Sequence, residues 1–370
     1  MSEQNGASRP TVLLLQGGGA LGSYQAGAYE ALAMHGHAPS WIIGVSIGAI
    51  NASLIAGNPP DRRVARLRQF WQRITEPTSA LKLLGVPPDP TLEQRIGAAA
   101  AVLYGQPGFF RPWPPLQWAW QPPVSYYDTS FLRQTLLELV DFDLINERRV
   151  RLCVGAVQVR SGNMIYFDSL KTRIEPEHIM ASGALPPGFP HVMIDGEAYW
   201  DGGLVSNTPL SYFMAEQPRR DSLVFQVDLF PARGEMPETL DEVAERDKDI
   251  RYSSRTRMVT TEERDRQNLR RKMAAFIGRL PDDLRHDPVV KHLHDFACPA
   301  HVDVVHLIYR PAEPQGSQKD YQFDRGSCER RWREGLVHAE AAITASPWLA
   351  PYPEGVGMRT FDIPVHRPHI

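Results

Sequence analysis

The chain is 370 residues long, enough for one large hydrophobic core or a core with a smaller helical partner. Hydrophobic residues make up 42% and charged residues 22%, and a formal net charge of −3 leaves no basic surface of the kind nucleic-acid binding needs. No window approaches the ~18–20 uninterrupted apolar residues of a membrane-spanning helix, and residues 1–10 lack the basic start and apolar run of an export signal.

Residues 11–16 (TVLLLQ) are a short apolar run stopped by glycines, the pattern of a buried parallel strand. A helix is expected over 23–35, where Ala26, Ala28, Ala31 and Leu32 give small and apolar surface. Residues 41–44 read as a second buried strand. Residues 47–56 read as a helix that is apolar or small all round and must therefore be buried. This β-α-β-α opening predicts helices on both faces of a sheet. A charged amphipathic helix follows over 61–74. Many of the 32 prolines then fall between Pro77 and Pro123, which predicts a loop-rich insertion at about 77–127 holding the aromatic stretch 108–123 (GFFRPWPPLQWAWQPP). Asp128 and Thr129 can cap a helix to about Val140. Residues 150–159 and 164–167 are strands joined by Ser161-Gly162-Asn163, and 176–184 is a short helix. Residues 191–194 and 197–200 flank a tight turn at Asp195-Gly196, and 222–230 is a further strand. From about Leu240 charged helical segments run to Arg285, followed by a strand at 302–309 and an amphipathic helix at 326–343. The late strand argues that this region joins the same sheet.

Three motifs carry chemistry. Gly44-Val45-Ser46-Ile47-Gly48 matches Gly-x-Ser-x-Gly, which puts a serine on a sharp strand-to-helix turn with glycines where side chains would collide. The helix N-terminus behind it favours negative charge on a substrate. Gly17-Gly18-Gly19-Ala20-Leu21-Gly22 opens a helix after the first strand and fits two patterns, an oxyanion loop and the dinucleotide Gly-x-Gly-x-x-Gly. The nucleotide reading needs an acidic residue at the end of the next strand, and Trp41-Ile42-Ile43-Gly44 has none. Asp201-Gly202-Gly203 places a carboxylate before two glycines that let the chain bend tightly. Asp195, its competitor, sits at a hairpin tip and is assigned a turn role.

Together and in this order, these motifs resemble the patatin-like phospholipase family over residues 11–230. The resemblance extends to Ala181-Ser182-Gly183-Ala184-Leu185-Pro186-Pro187-Gly188-Phe189-Pro190 and to Asn207 and Pro209. It implies a three-layer α/β/α sandwich with a mostly parallel central sheet and a C-terminal helical extension. The expected division is an acyl hydrolase domain at 9–232 and a mainly helical region packed on the same sheet at 233–370. The resemblance further implies hydrolysis of lipid acyl esters by a Ser46–Asp201 dyad without a catalytic histidine. Gly17, Gly18 and Gly19 with Ile47 would form the oxyanion hole, and Gly22, Gly44, Gly48, Gly202 and Gly203 would support the motifs. One position departs from the family: Leu21 stands where many members carry a basic residue. The region beyond Leu240 resembles an uncharacterised extension of some bacterial members.

Other readings stay open at this stage. His292, His294, His301 or His306 could complete a histidine triad, and a non-catalytic scaffold on the same fold would keep the motifs without the reaction. The aromatic stretch could be a lid, an acyl-chain wall or a membrane contact, or simply fold back on itself. No cofactor and no metal are expected, and the scattered Cys153, Cys298 and Cys328 suggest free thiols. The expected partner is a lipid or acyl ester substrate, with no nucleic acid, and with peripheral membrane contact and homo-oligomerisation left open. The expected location is cytoplasmic.

Overall fold

The computed structural model describes residues 9–75, 103–120, 123–217, 219–312 and 314–363. The first part of the expected insertion, residues 77–102, therefore lies outside the described residues. The amino-terminal half opens with β1 (Thr11–Leu15), α1 (Ser23–Met34), β2 (Trp41–Val45), α2 (Ile47–Ala56) and α3 (Arg63–Ile74). After it come β3 (Arg111–Pro112), α4 (Pro115–Trp120), β4 (Tyr127–Asp128), α5 (Ser130–Leu139) and α6 (Phe142–Asn146). Then follow β5 (Arg151–Gln158), β6 (Met164–Asp168), α7 (Pro176–Ser182), β7 (Val192–Ile194), β8 (Glu197–Asp201), α8 (Leu210–Ala215) and β9 (Ser222–Asp228). The C-terminal part holds α9 (Leu240–Gly278), α10 (Asp282–Arg285), α11 (Pro288–Phe296), β10 (Val302–Ile308), α12 (Arg325–Ala345) and β11 (Met358–Asp362).

These strands form a nine-stranded sheet in the order β11-β10-β9-β1-β2-β5-β8-β7, with β6 paired to β5. The six strands from β11 to β5 are parallel to their neighbours, whereas β6, β7 and β8 join by antiparallel pairing. The alternation of β1 explains the layering. Leu13 and Leu15 point into the core shared with α1, α2 and α3, while Val12 and Leu14 point into a second core with Leu210, Phe213 and Met214 of α8. All four of these side chains are at most 2% exposed, and each contributes roughly 1.5–3 kcal/mol. The fold is thus α/β with helices on both faces of a mostly parallel sheet.

The C-terminal part is built into the main body. β10 and β11 extend the sheet beyond β9, and α12 packs on α1. Gly27 of α1 and Gly335 of α12 meet the other helix's backbone where a Cβ would overlap Trp332 O and Tyr24 O respectively. The separate charged segments expected from Leu240 are largely one 39-residue helix, α9, and β11 was not expected at all. Among the described residues, no helix is long and apolar enough to cross a membrane.

Candidate active site

The register around β5 brings Ser46 and Asp201 together. On one edge of β5, β2 pairs in parallel as far as Val45 opposite Gly155. Since β6 occupies the other edge over Cys153 to Val157, β8 must continue along the same edge as β2, and it pairs antiparallel with Asp201 opposite Ala156. The C-terminal ends of β2 and β8 therefore run head-on towards each other. Ser46 follows the one, and Asp201 ends the other.

Ser46 turns the chain from β2 into α2 with φ 56° and ψ −126°, a left-handed conformation strained for a residue bearing a Cβ. Two glycines make this elbow fit. A Cβ on Gly44 would overlap Gly48 O, and one on Gly48 would overlap Leu15 O of β1. The elbow is clamped from α7: the Ser182 hydroxyl accepts the Ser46 N–H at 3.0 Å and donates to Gly155 O at 2.6 Å. The Ser46 amide is thereby occupied. Ile47 and Gly48, in the first turn of α2, have no carbonyl further back in the helix to bond.

Asp201 is 2% exposed. Burial pushes its carboxyl up from 3.8 to about 6, against the pull of hydrogen bonds from the Ser46 hydroxyl and the Gly203 N–H. The latter is 2.7 Å long. Gly202 lies against Gly155 O, and a Cβ on Gly203 would stand 3.0 Å from Asn207 Oδ1 and 3.1 Å from Asp201 Oδ1.

The glycine loop lies across Ser46. A Cβ on Gly17 would stand 3.0 Å from Ser46 Cβ. Asn207 fixes Gly17 from both sides, with its Nδ2 donating to Gly17 O at 3.0 Å and its carbonyl accepting the Gly17 N–H at 3.4 Å. The Gly17 amide is thus engaged, which leaves the N–H groups of Gly18 and Gly19 as the loop's donors without a protein acceptor among the described residues. Gly19 has φ 55° and abuts the backbone carbonyl of Asp320, so only glycine fits there. Gly22 packs against Ile47. Leu21 is fully buried in the core and does not line the cleft.

A cleft that opens to solvent lies above these groups. Ser46, Asp201, Gly17, Gly18, Gly19, Ile47 and Gly203 line it, whereas Gly22, Gly44, Gly48 and Gly202 lie behind it. One wall is aromatic. Phe109 and Phe110 are buried and pack against Phe189 and Phe323 at centroid distances of 5.2–6.3 Å. This part of the proline-rich stretch is an interior wall, and Tyr126 and Tyr127 tie it to the Pro187–Gly188 backbone. Trp113 is half-buried with its Nε1 donating to Ser125 Oγ at 3.1 Å, while Trp120 is 83% exposed. Tyr252, Asp320 and Tyr321, from the C-terminal part like Phe323, also line the cleft.

No histidine lines the cleft among the described residues. His292 and His294 are exposed on α11, and His301 packs at a tilt against Tyr352. His306 pairs with Asp228 at 3.1 Å, on β10, which is separated from β2 by β9 and β1. Asp195, with φ 49°, sits at the β7–β8 hairpin tip as expected for a turn residue. Cys153, Cys298 and Cys328 are buried free thiols. Ser182, Asn207 and the Tyr252–Asp320–Tyr321 wall were not singled out from sequence as site residues. The first two stand inside the motif stretches already quoted, but nothing local marks the wall.

A profile of patatin-like phospholipases matches residues 13–214, and a second, described as patatin phospholipase (DUF3734), matches residues 250–355. No curated protein matches the sequence. Among solved structures, the chain is similar to VipD from Legionella pneumophila, at 14% identity and a TM-score of 0.40, covering 91% of this chain and 67% of that one. It is also similar to human GIVD cytosolic phospholipase A2, at 12% identity and a TM-score of 0.40, covering 91% of this chain and 59% of that one. The type III effector ExoU is a third, at 13% identity, with a TM-score of 0.33 and 54% of its length covered. The chain thus spans about two thirds or less of the length of these relatives.

Proposed function

The chain belongs to the patatin-like phospholipase family, and from that premise we propose that it is a lipid acyl hydrolase working through a Ser46–Asp201 dyad and an acyl-enzyme. The observation that carries this reading is the meeting of a strained, clamped serine with a fully buried carboxylate in a cleft that no histidine lines among the described residues. Asp201 takes the Ser46 proton as the hydroxyl oxygen attacks the ester carbonyl, and the alcohol leaves with a proton. Water, deprotonated by Asp201, then releases the acid and restores Ser46.

A carboxylate near its ordinary value is a weak base for an alcohol. Burial raises Asp201 to about 6, which strengthens it as a base while leaving it ionised at neutral pH. The negative charge that develops on the carbonyl oxygen falls to the N–H groups of Gly18, Gly19 and Ile47. One such donor is typically worth about 3–4 kcal/mol of transition-state stabilisation. The aromatic wall of Phe109, Phe110, Phe189 and Phe323 suits an acyl chain.

The test is the pH dependence of kcat/KM on a chromogenic acyl ester. Since Asp201 acts only when ionised, activity should fall as pH drops through about 6, roughly tenfold at pH 5 relative to the plateau. A rate unchanged down to pH 4.5 would remove Asp201 from the role of base.

A further inference from the structure

The cleft wall supplied by the C-terminal part is held unusually firmly for a loop. Residues 315–323 connect β10 to α12, and α9 grips them along one face, at Asp241, Glu245, Lys248 and Asp249. Glu245 Oε2 accepts the N–H groups of Gln315 and Gly316 at 3.1 and 2.8 Å, and Asp241 Oδ1 accepts the N–H of Ser317 at 3.1 Å. The Lys319 side chain is 1% exposed and sits between Glu245 and Asp249 at 3.0 and 2.5 Å. From the other side, the fully buried Arg331 of α12 donates to Gln322 O, Lys319 O and the side chains of Gln315 and Gln322. These bonds tie the loop to α9 on one side and to α12 on the other, which fixes its position.

That anchoring fixes what faces the substrate. The Asp320 carbonyl rests on Gly19 of the glycine loop, and Asp320 and Tyr321 line the cleft. Two acidic residues, Asp201 and Asp320, line the cleft, and among the described residues no Lys, Arg or His does. The nearby cation, Lys248, is drawn back onto Asp320 Oδ1 and Ser317 O, each at 2.7 Å. A second anion entering the cleft is repelled by Asp201 and by the part of the Asp320 charge that Lys248 does not offset, and no lining cation among the described residues attracts it.

We propose that Asp320, held by residues 315–323, is a specificity-determining residue that makes the site favour esters whose alcohol part is uncharged over esters of an anionic phosphate headgroup. The substrate class is then a neutral acyl ester, such as a mono- or diacylglycerol. This inference rests on the serine-hydrolase reading of the same site.

The experiment compares kcat/KM of the full chain for a monoacylglycerol and for the lysophosphatidic acid of the same acyl chain, both below their aggregation thresholds. The wild type should favour the neutral ester by about tenfold or more. Asp320→Asn, nearly isosteric, should bring the ratio down towards parity, while Lys248→Met, which strips Asp320 of its counter-charge, should widen it. Raising salt should narrow the wild-type ratio, because part of the repulsion is screened. A loop that is merely structural would lower both rates together in both variants and leave the ratio alone. A wild-type ratio at or below one, or a ratio unmoved by both substitutions, overturns the proposal. Fluorophosphonate labelling of Ser46 in the same preparation separates the two levels: labelled protein without discrimination overturns this inference alone, and unlabelled protein overturns the serine reading with it.

Discussion

Replacing Asp201 by asparagine should abolish turnover and at the same time make the protein more stable at neutral pH. Asparagine preserves the volume and an oxygen for the Gly203 N–H, now bonded at 2.7 Å, so the packing survives. What changes is the charge. In the unfolded chain the carboxyl ionises near 3.8, while burial holds it protonated up to about 6 in the folded protein. Between those values the folded state binds the extra proton, so stability falls as pH rises and the loss is complete above about 6. Just over two units at about 1.36 kcal/mol each amounts to about 3 kcal/mol carried by the ionised wild type at pH 7.5. At pH 4.5 only about 1 kcal/mol of it should have appeared. Urea unfolding followed by tryptophan fluorescence, at both pH values and beside an ester-hydrolysis assay, reads both effects. If the variant's advantage over wild type is no larger at pH 7.5 than at pH 4.5, Asp201 is not a carboxylate held against its burial, and the argument for it as a strengthened base fails.

Two further substitutions probe the backbone around the dyad. Gly19→Ala would drive a Cβ into the Asp320 carbonyl at a φ of 55°, and by displacing the loop's donors should lower kcat/KM by about a hundredfold or more, with circular dichroism confirming that the fold persists. Ser182→Ala removes both the acceptor for the Ser46 N–H and the donor to Gly155 O; thermal melts should show a loss of about 1–3 kcal/mol, and kcat should fall as the elbow loosens.

Much of the fold is legible locally, and the reasons are physical. The helix over residues 47–56 is apolar or small at every turn, and the structure buries all ten residues of α2 between sheet and helices. The hairpins at Gly162 and at Asp195-Gly196 turn where their sequences favour left-handed backbone. The elbow glycines could be read as a motif, but their purpose needs the third dimension, since Gly48 yields to Leu15 O on a different strand. The approach of Asp201 to Ser46 depends on β8 taking over the edge of β5 that β2 leaves, a pairing between segments far apart in sequence. The Asp320–Tyr321 wall is further still from local pattern: it is set by Lys319 and Arg331, whose burial no composition or periodicity reveals. β11 escaped for a simpler reason. Met358–Asp362 is short, half-polar and only partly buried at the sheet edge, so it carries neither an alternating nor an all-apolar signature.

Covalent labelling asks whether Ser46 is an activated nucleophile with Asp201 as its base. Purified protein is treated with a fluorophosphonate bearing an alkyl chain and followed by intact mass spectrometry and peptide mapping, alongside Ser46→Ala and Asp201→Asn. One adduct per chain is expected, located on Ser46, absent from Ser46→Ala and formed far more slowly in Asp201→Asn. Folded wild-type protein that takes up no label, or that is labelled equally fast without Asp201, would contradict those roles.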